Sequence, residues 1–270
     1  MSIAAKLTRA WRAVLSVVDG SAAEPVDSPE NGAALNGPAP RRSRTKWVVR
    51  WLRRGVAAGI ALWLTVVAVL AGYMVVDPWR SNLMLARAMG GTPLTHQWVD
   101  LDNVSKHVVH AVVPSEDARF CTHWGVDLGE IRDAIERADE RGPRGASTIS
   151  MQTAKNMFLW SARSYVRKAI ELPLAMTMDL VWSKRRMLEI YLNFAEWGPG
   201  VFGIEAASRH HFGTTAAKLT AQQAALLVAA LPNPFKRRAG RAGPKTRAYA
   251  RVVRKRMANG PRLTECIGLE

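Results

Sequence analysis

Glu116-Asp117-Ala118-Arg119-Phe120-Cys121-Thr122-His123-Trp124-Gly125 is followed downstream by Gly145-Ala146-Ser147-Thr148-Ile149-Ser150-Met151-Gln152-Thr153-Ala154-Lys155-Asn156. A third block carries Arg163, Arg167, Lys168 and Glu171. Two well-separated carboxylates, Glu116 and Glu171, with cations clustered between them point to acid/base chemistry on an anionic substrate. Pro114-Ser115 predicts a helix start, which places Glu116 in a first turn. There the helix dipole favours its charge, while burial by Phe120 and Trp124 opposes it. In the second block Ser147 is the expected helix cap. Thr148, Gln152 and Lys155 then share one face, which suits a sugar-phosphate ligand. Arg163, Arg167 and Glu171 repeat the one-face spacing, flanked by Lys168, in a row suited to a diphosphate. Pro173 removes one helical hydrogen bond and predicts a kink near Glu171. From these residues alone, an ordinary helix-terminal glutamate, a solvated polar face and a surface Arg–Glu pair remain equally simple readings.

Outward from these blocks the pattern is helical. Apolar spacing predicts helices over residues 128–141, 164–182 and 184–194. A further helix is expected over 220–231, with Thr220 as its cap and Pro232 beyond its end. Strand signals are sparse, and the short β-branched run 108–113 is ambiguous between strand and helix. The expected fold is mostly α.

The run from Gly55 to Val76 has 22 residues and no charge. As a helix it spans about 33 Å, enough for a bilayer core. Arg41, Arg42, Arg44, Lys46, Arg50, Arg53 and Arg54 precede it. The positive-inside rule therefore puts residues 1–54 in the cytoplasm, as a largely disordered tail, and 77–270 across the membrane. Its length and long preceding segment favour an uncleaved signal-anchor at 55–76. Within the tail, apolar residues between Ile3 and Val18 alternate with Lys6, Arg9 and Arg12. That pattern fits either an interfacial helix or a loose end.

The formal charge of +16 is uneven. Residues 1–54 contribute +6 and residues 236–270 contribute +9, leaving only +1 over 77–235. A nearly neutral central region argues against nucleic acid as partner. The basic segment 236–262 reads either as solvated chain or as a patch for anionic lipid headgroups. Cys121 and Cys266 are the two cysteines. Their separation gives no support for a bridge, and two unpaired thiols are expected.

Taken together, the blocks resemble family 51 glycosyltransferases, the peptidoglycan polymerases, and in particular the monofunctional biosynthetic peptidoglycan transglycosylases. The family patterns E-D-x-x-F-x-x-H-x-G, G-x-S-T-I-x-x-Q-x-x-K-N, R-K-x-x-E and K-x-x-x-L-E-x-Y-L-N stand here at 116–125, 145–156, 167–171 and 184–193. Matches continue through Trp197–Ala207 and Leu231-Pro232-Asn233-Pro234. Met151, where a second glutamine is common, and Pro173 depart from the pattern. The resemblance implies a bilobed, lysozyme-like head with a small membrane-associated jaw, behind one transmembrane helix. It implies a periplasmic glycosyltransferase domain over 77–262 and a tail over 263–270, in a single-pass inner-membrane protein.

The implied reaction joins lipid II to a growing glycan strand held on undecaprenyl pyrophosphate. Glu116 is the implied base and Glu171 the second catalytic carboxylate. Ser147, Thr148, Gln152, Lys155, Arg163, Arg167 and Lys168 are the implied substrate-binding residues. No covalent cofactor is implied; a divalent ion, Mg or Mn, beside Glu171 is left open. So are divisome and penicillin-binding proteins as partners. The chain ends too soon after the match for a transpeptidase domain to be expected. A lysozyme-type glycosidase and a non-catalytic anchored assembly protein are the rival readings.

Overall fold

The structure is a computed structural model that describes residues 44–137, 145–162 and 164–269. The chain divides into the units Met1–Arg54 and Gly55–Glu270. In the first unit only residues 44–54 are described, and they are helical; the apolar pattern over residues 3–18 lies outside the described residues.

Helix α1 runs Arg44–Gly72. Over Trp47–Gly72 it is long and apolar enough to cross a membrane, 26 residues or about 39 Å. Ile60, Leu62, Trp63, Leu64 and Val69 are exposed along it. The helix thus starts before the uncharged run 55–76 and stops within it. Arginine is a good helix former, so Arg50, Arg53 and Arg54 continue the helix. Tyr73–Val76 instead close in turns on Val69, Ala71 and Gly72.

Beyond it come α2 (Asn82–Met89), α3 (Lys106–Glu116), α4 (Leu128–Glu136), α5 (Ile149–Phe158), α6 (Tyr165–Val181) and α7 (Lys184–Phe194). Then follow α8 (Ile204–Phe212), α9 (Ala221–Ala230), α10 (Pro244–Arg256) and α11 (Gly260–Leu263). A small sheet orders β1 (Thr95–His96), β3 (Val201–Phe202) and β2 (Glu196–Gly198), with β1 parallel and β2 antiparallel to β3. The mostly α expectation holds.

Two helices form the centre. On α7, every residue from Met187 to Phe194 except Glu189 is buried. On α3, Val108, Val109, Ala111, Val112, Val113 and Pro114 are buried, and α9, α10 and α11 pack against it. The ambiguous run 108–113 is therefore helix: burial on several sides outweighs the modest helix penalty of valine. Helix α9 begins in the expected cap, with Thr220 and Gln223 in a reciprocal capping box.

The unpaired-thiol expectation is overturned: Cys121 and Cys266 form a disulfide, with their Cα atoms 5.6 Å apart. Their separation of 145 residues hid this. The end of the chain folds back, burying Ile267, and Arg185 donates to the Ile267 carbonyl at 3.2 Å. The basic segment is likewise no loose end. Thr246, Ala250 and Val253 form the buried stripe of α10, against α9 and α3.

Candidate active site

Glu116 is the last residue of α3, not a first-turn residue as Pro114-Ser115 predicted. Pro114 sits in the final turn, where tertiary packing tolerates its missing N–H. The dipole at this end disfavours the carboxylate rather than favouring it. A hydrogen bond takes the place of the dipole: Gln152 Nε2 donates to Glu116 Oε2 at 3.0 Å. Gln152 Oε1 in turn accepts a long contact from the buried Tyr191 hydroxyl at 3.4 Å. Burial pushes the Glu116 carboxyl above the ordinary range, and neighbouring Asp117 adds to it. Gln152, Lys155 and Arg256 pull the other way without cancelling the rise.

The cap of α5 is Thr148 rather than Ser147. Thr148 Oγ1 accepts from Met151 N at 3.1 Å and donates to the Gly125 carbonyl at 2.6 Å. Its hydroxyl is thereby engaged and buried, whereas Ser147 is exposed. The Gly125 contact decided between two adjacent hydroxyls, and local sequence does not report it. Gly125 has φ +78°, and a Cβ there would lie 2.4 Å from the Ala175 carbonyl oxygen. Only glycine lets this loop touch α6.

On α6, Glu171 is 2% exposed. Its Oε2 pairs with Arg167 Nη1, and its Oε1 with Lys168 Nζ at 2.7 Å. Lys168 also reaches Ser147 Oγ at 3.4 Å, which joins the second and third blocks. Pro173 lies inside α6, and the helix continues through it to Val181. Lys155, from α5, stands in the same field. Burial lowers its pKa; Glu171 and Glu116 raise it, and Arg167 and Lys168 lower it. Arg163 lies outside the described residues.

Most of the first block has a structural task that its sequence does not announce. Asp117 Oδ2 accepts from Ile149 N at 2.9 Å, and its carboxylate meets His123 Nε2 at 2.9 and 3.0 Å. His123 offers its carbonyl to Lys184 Nζ at 2.7 Å. Lys184 also pairs with Asp179 at 2.7 Å and lies 4.8 Å over the Phe120 ring. These buried pairs tie the loop after Glu116 to the start of α5, and so fix Glu116 against Gln152. The Glu-Asp…His spacing of the quoted pattern, Glu116, Asp117 and His123, is the signal for it.

Two cavities flank the site. One, of about 390 Å³, is lined by Glu116, Ser147, Arg119 and Arg256 among others. The other, of about 460 Å³, is lined by Gln152, Lys155, Asn156 and Tyr191, with Arg87 and Glu196.

Residues 83–258 match a family model described as Transglycosylase. A protein of Rhizobium johnstonii called biosynthetic peptidoglycan transglycosylase is 46% identical, over 89% of this chain and 98% of that one. Relatives of the same name from Rhizobium meliloti and Mesorhizobium japonicum are 50% and 47% identical. They are matched over 69% and 81% of this chain, and 80% and 94% of their own. This chain belongs to the biosynthetic peptidoglycan transglycosylases. In this transglycosylase Asn193 is scaffold: it accepts from Val99 N and donates to Val99 O, both at 2.9 Å. Among the described residues no three His, Cys, Asp or Glu side chains converge, and the two Glu171 oxygens pair with Arg167 and Lys168.

Proposed function

We infer that this transglycosylase polymerises lipid II into β-1,4-linked glycan strands and releases undecaprenyl pyrophosphate. The observation that carries the reading is Glu116, held on Gln152 at a cavity wall and in the field of Lys155, which in turn stands among Arg167, Lys168 and Glu171. Glu116 takes the proton from the 4-hydroxyl of the acceptor GlcNAc. The O4–C1 bond forms as the C1–O bond to the diphosphate breaks, and the electron pair leaves on the diphosphate. That leaving group is already anionic, so it needs cations rather than a proton. Lys155, Arg167 and Lys168 supply them, with Arg163 assigned to the same row from its sequence position. Glu171 holds Arg167 and Lys168 in place. Ser147 and Gln152 orient sugar or phosphate groups, while Thr148 acts through the helix it caps. Attack opposite the leaving group turns an α-linked donor into a β-linked product.

The same reading makes α1 a single-pass inner-membrane anchor, with residues beyond it in the periplasm. The Cys121–Cys266 bridge supports this, because disulfides persist in oxidising compartments. Tyr165, Val166, Ile170, Met176 and Leu180 are exposed on α6, which suits a jaw seated in the outer leaflet. An apolar groove of about 540 Å³ between the 59–70 stretch of α1 and α6 fits such a lipid-facing lobe.

Incubation of the full chain with lipid II tests the reaction. Long glycan and released undecaprenyl pyrophosphate are expected. Shortening of preformed glycan would install the glycosidase reading, and no product the non-catalytic one. A reporter fused after Glu270 tests orientation. It is expected to work only if it is one that functions in the periplasm, and activity of a cytoplasm-only reporter reverses the topology.

A further inference from the structure

The polymerisation proposed above uses two diphosphates, one on the donor strand and one on the acceptor lipid II. Lys155, Arg167 and Lys168, set against the single carboxylate of Glu171, suffice for one of them. The second needs a cation of its own on the acceptor side of Glu116. The described cations lining the Glu116 cavity are Arg119 and Arg256. Arg119 is committed: its Nε pairs with Asp127 at 2.9 Å and its Nη2 with Glu130 at 3.2 Å. Arg256 is exposed at the last position of α10 and has no ion pair among the described residues.

We propose that Arg256 is an anion-binding residue of the active cavity, holding the diphosphate of the acceptor lipid II. Its placement is built into the fold. Val253, one turn earlier, is buried in the core. Four residues later Gly260 lies so close to α3 that a Cβ would come 2.5 Å from the Cβ of His110. Cys266 then bridges to Cys121, five residues beyond Glu116 in the chain. The end of α10 is thus pinned on both sides, against the helix that delivers the base. This gives the basic C-terminal segment a specific task, distinct from general attraction to a membrane surface.

The test varies one substrate at a time, using the full chain in neutral detergent micelles. Acceptor lipid II is titrated at saturating strand-linked donor, and donor at saturating acceptor. Arg256→Ala should raise the acceptor KM about tenfold, the scale of one charge-assisted hydrogen bond, and leave the donor KM unchanged. A pH profile separates this from a loss of packing. Glu116 is faced by Gln152 and Lys155 from α5, Tyr191 from α7, Arg256 from α10 and adjacent Asp117. Of these, Arg256 and Lys155 favour its ionised form by charge, so Arg256→Ala should move the acidic limb to higher pH. Arg256→Lys should restore the limb and most of the KM.

An unchanged acceptor KM and limb in Arg256→Ala, with wild type active, would overturn the assignment alone. Wild type that forms no polymer would instead overturn the reaction on which it rests. Equal rises in donor and acceptor KM would refute acceptor selectivity. A defect seen only when phosphatidylglycerol is added would transfer Arg256 to the lipid surface, and so refute it too.

Discussion

Purified Glu116→Gln is expected to keep its fold and lose at least about 10²-fold in lipid II polymerisation, the scale of general-base removal. Glutamine preserves the shape and can still accept the Gln152 hydrogen bond, but it cannot take a proton. The sign of the stability change separates chemistry from damage. The folded-state pKa of Glu116 is raised, first by burial. A carboxyl with a raised folded pKa contributes stability at low pH, and loses it as pH rises from its unfolded pKa through the folded one. At neutral pH the ionised carboxylate is therefore a cost, and Glu116→Gln should melt at or above the wild-type temperature. Below the unfolded pKa the two should converge. Near-normal turnover by the variant would remove Glu116 as base. A clearly lowered melting temperature at neutral pH would assign any loss of activity to structure instead.

The helices were legible because their periodicity is strong, and the one-face spacing of Gln152 with Lys155 and of Arg167 with Glu171 could be read because those residues lie on helices. What was not legible depended on distant contacts. Whether Pro114 opens or closes a helix is undecided by Pro114-Ser115-Glu116 alone; the burial of Val108–Val113 against three other helices decides it. Ser147 and Thr148 are equivalent caps on paper, and a carbonyl 23 residues away selects Thr148. The cysteine pair is close only because the chain end returns to α3. The basic segment was read by its charge, which masked the Thr246–Ala250–Val253 stripe that packs it. Arg256 was hidden for the same reason, as one of eleven basic residues over 236–262.

Glu171→Gln should lower polymerisation by roughly 10²-fold, as for removal of a group that organises charge stabilisation at a leaving group. The carboxylate is buried between Arg167 and Lys168, whose side chains are 11% and 37% exposed. Without it two cations face each other with no anion between them. Removing one partner of a fully buried pair costs several kcal/mol. Partial exposure of Lys168 lets it turn to water, so about 2 kcal/mol is expected here. The kinetic signature lies in Lys155. Burial already lowers its pKa, and Glu171 is the largest influence holding it up. With Glu171 neutral, Lys155 loses its proton at lower pH, and the alkaline limb of polymerisation moves down with it. A purely structural Glu171 would lower the rate at every pH without moving that limb. The assay belongs well below the melting temperature of the variant, where the folded population is constant. An unmoved alkaline limb together with near-wild-type rate would show that the donor diphosphate is held by cations Glu171 does not organise.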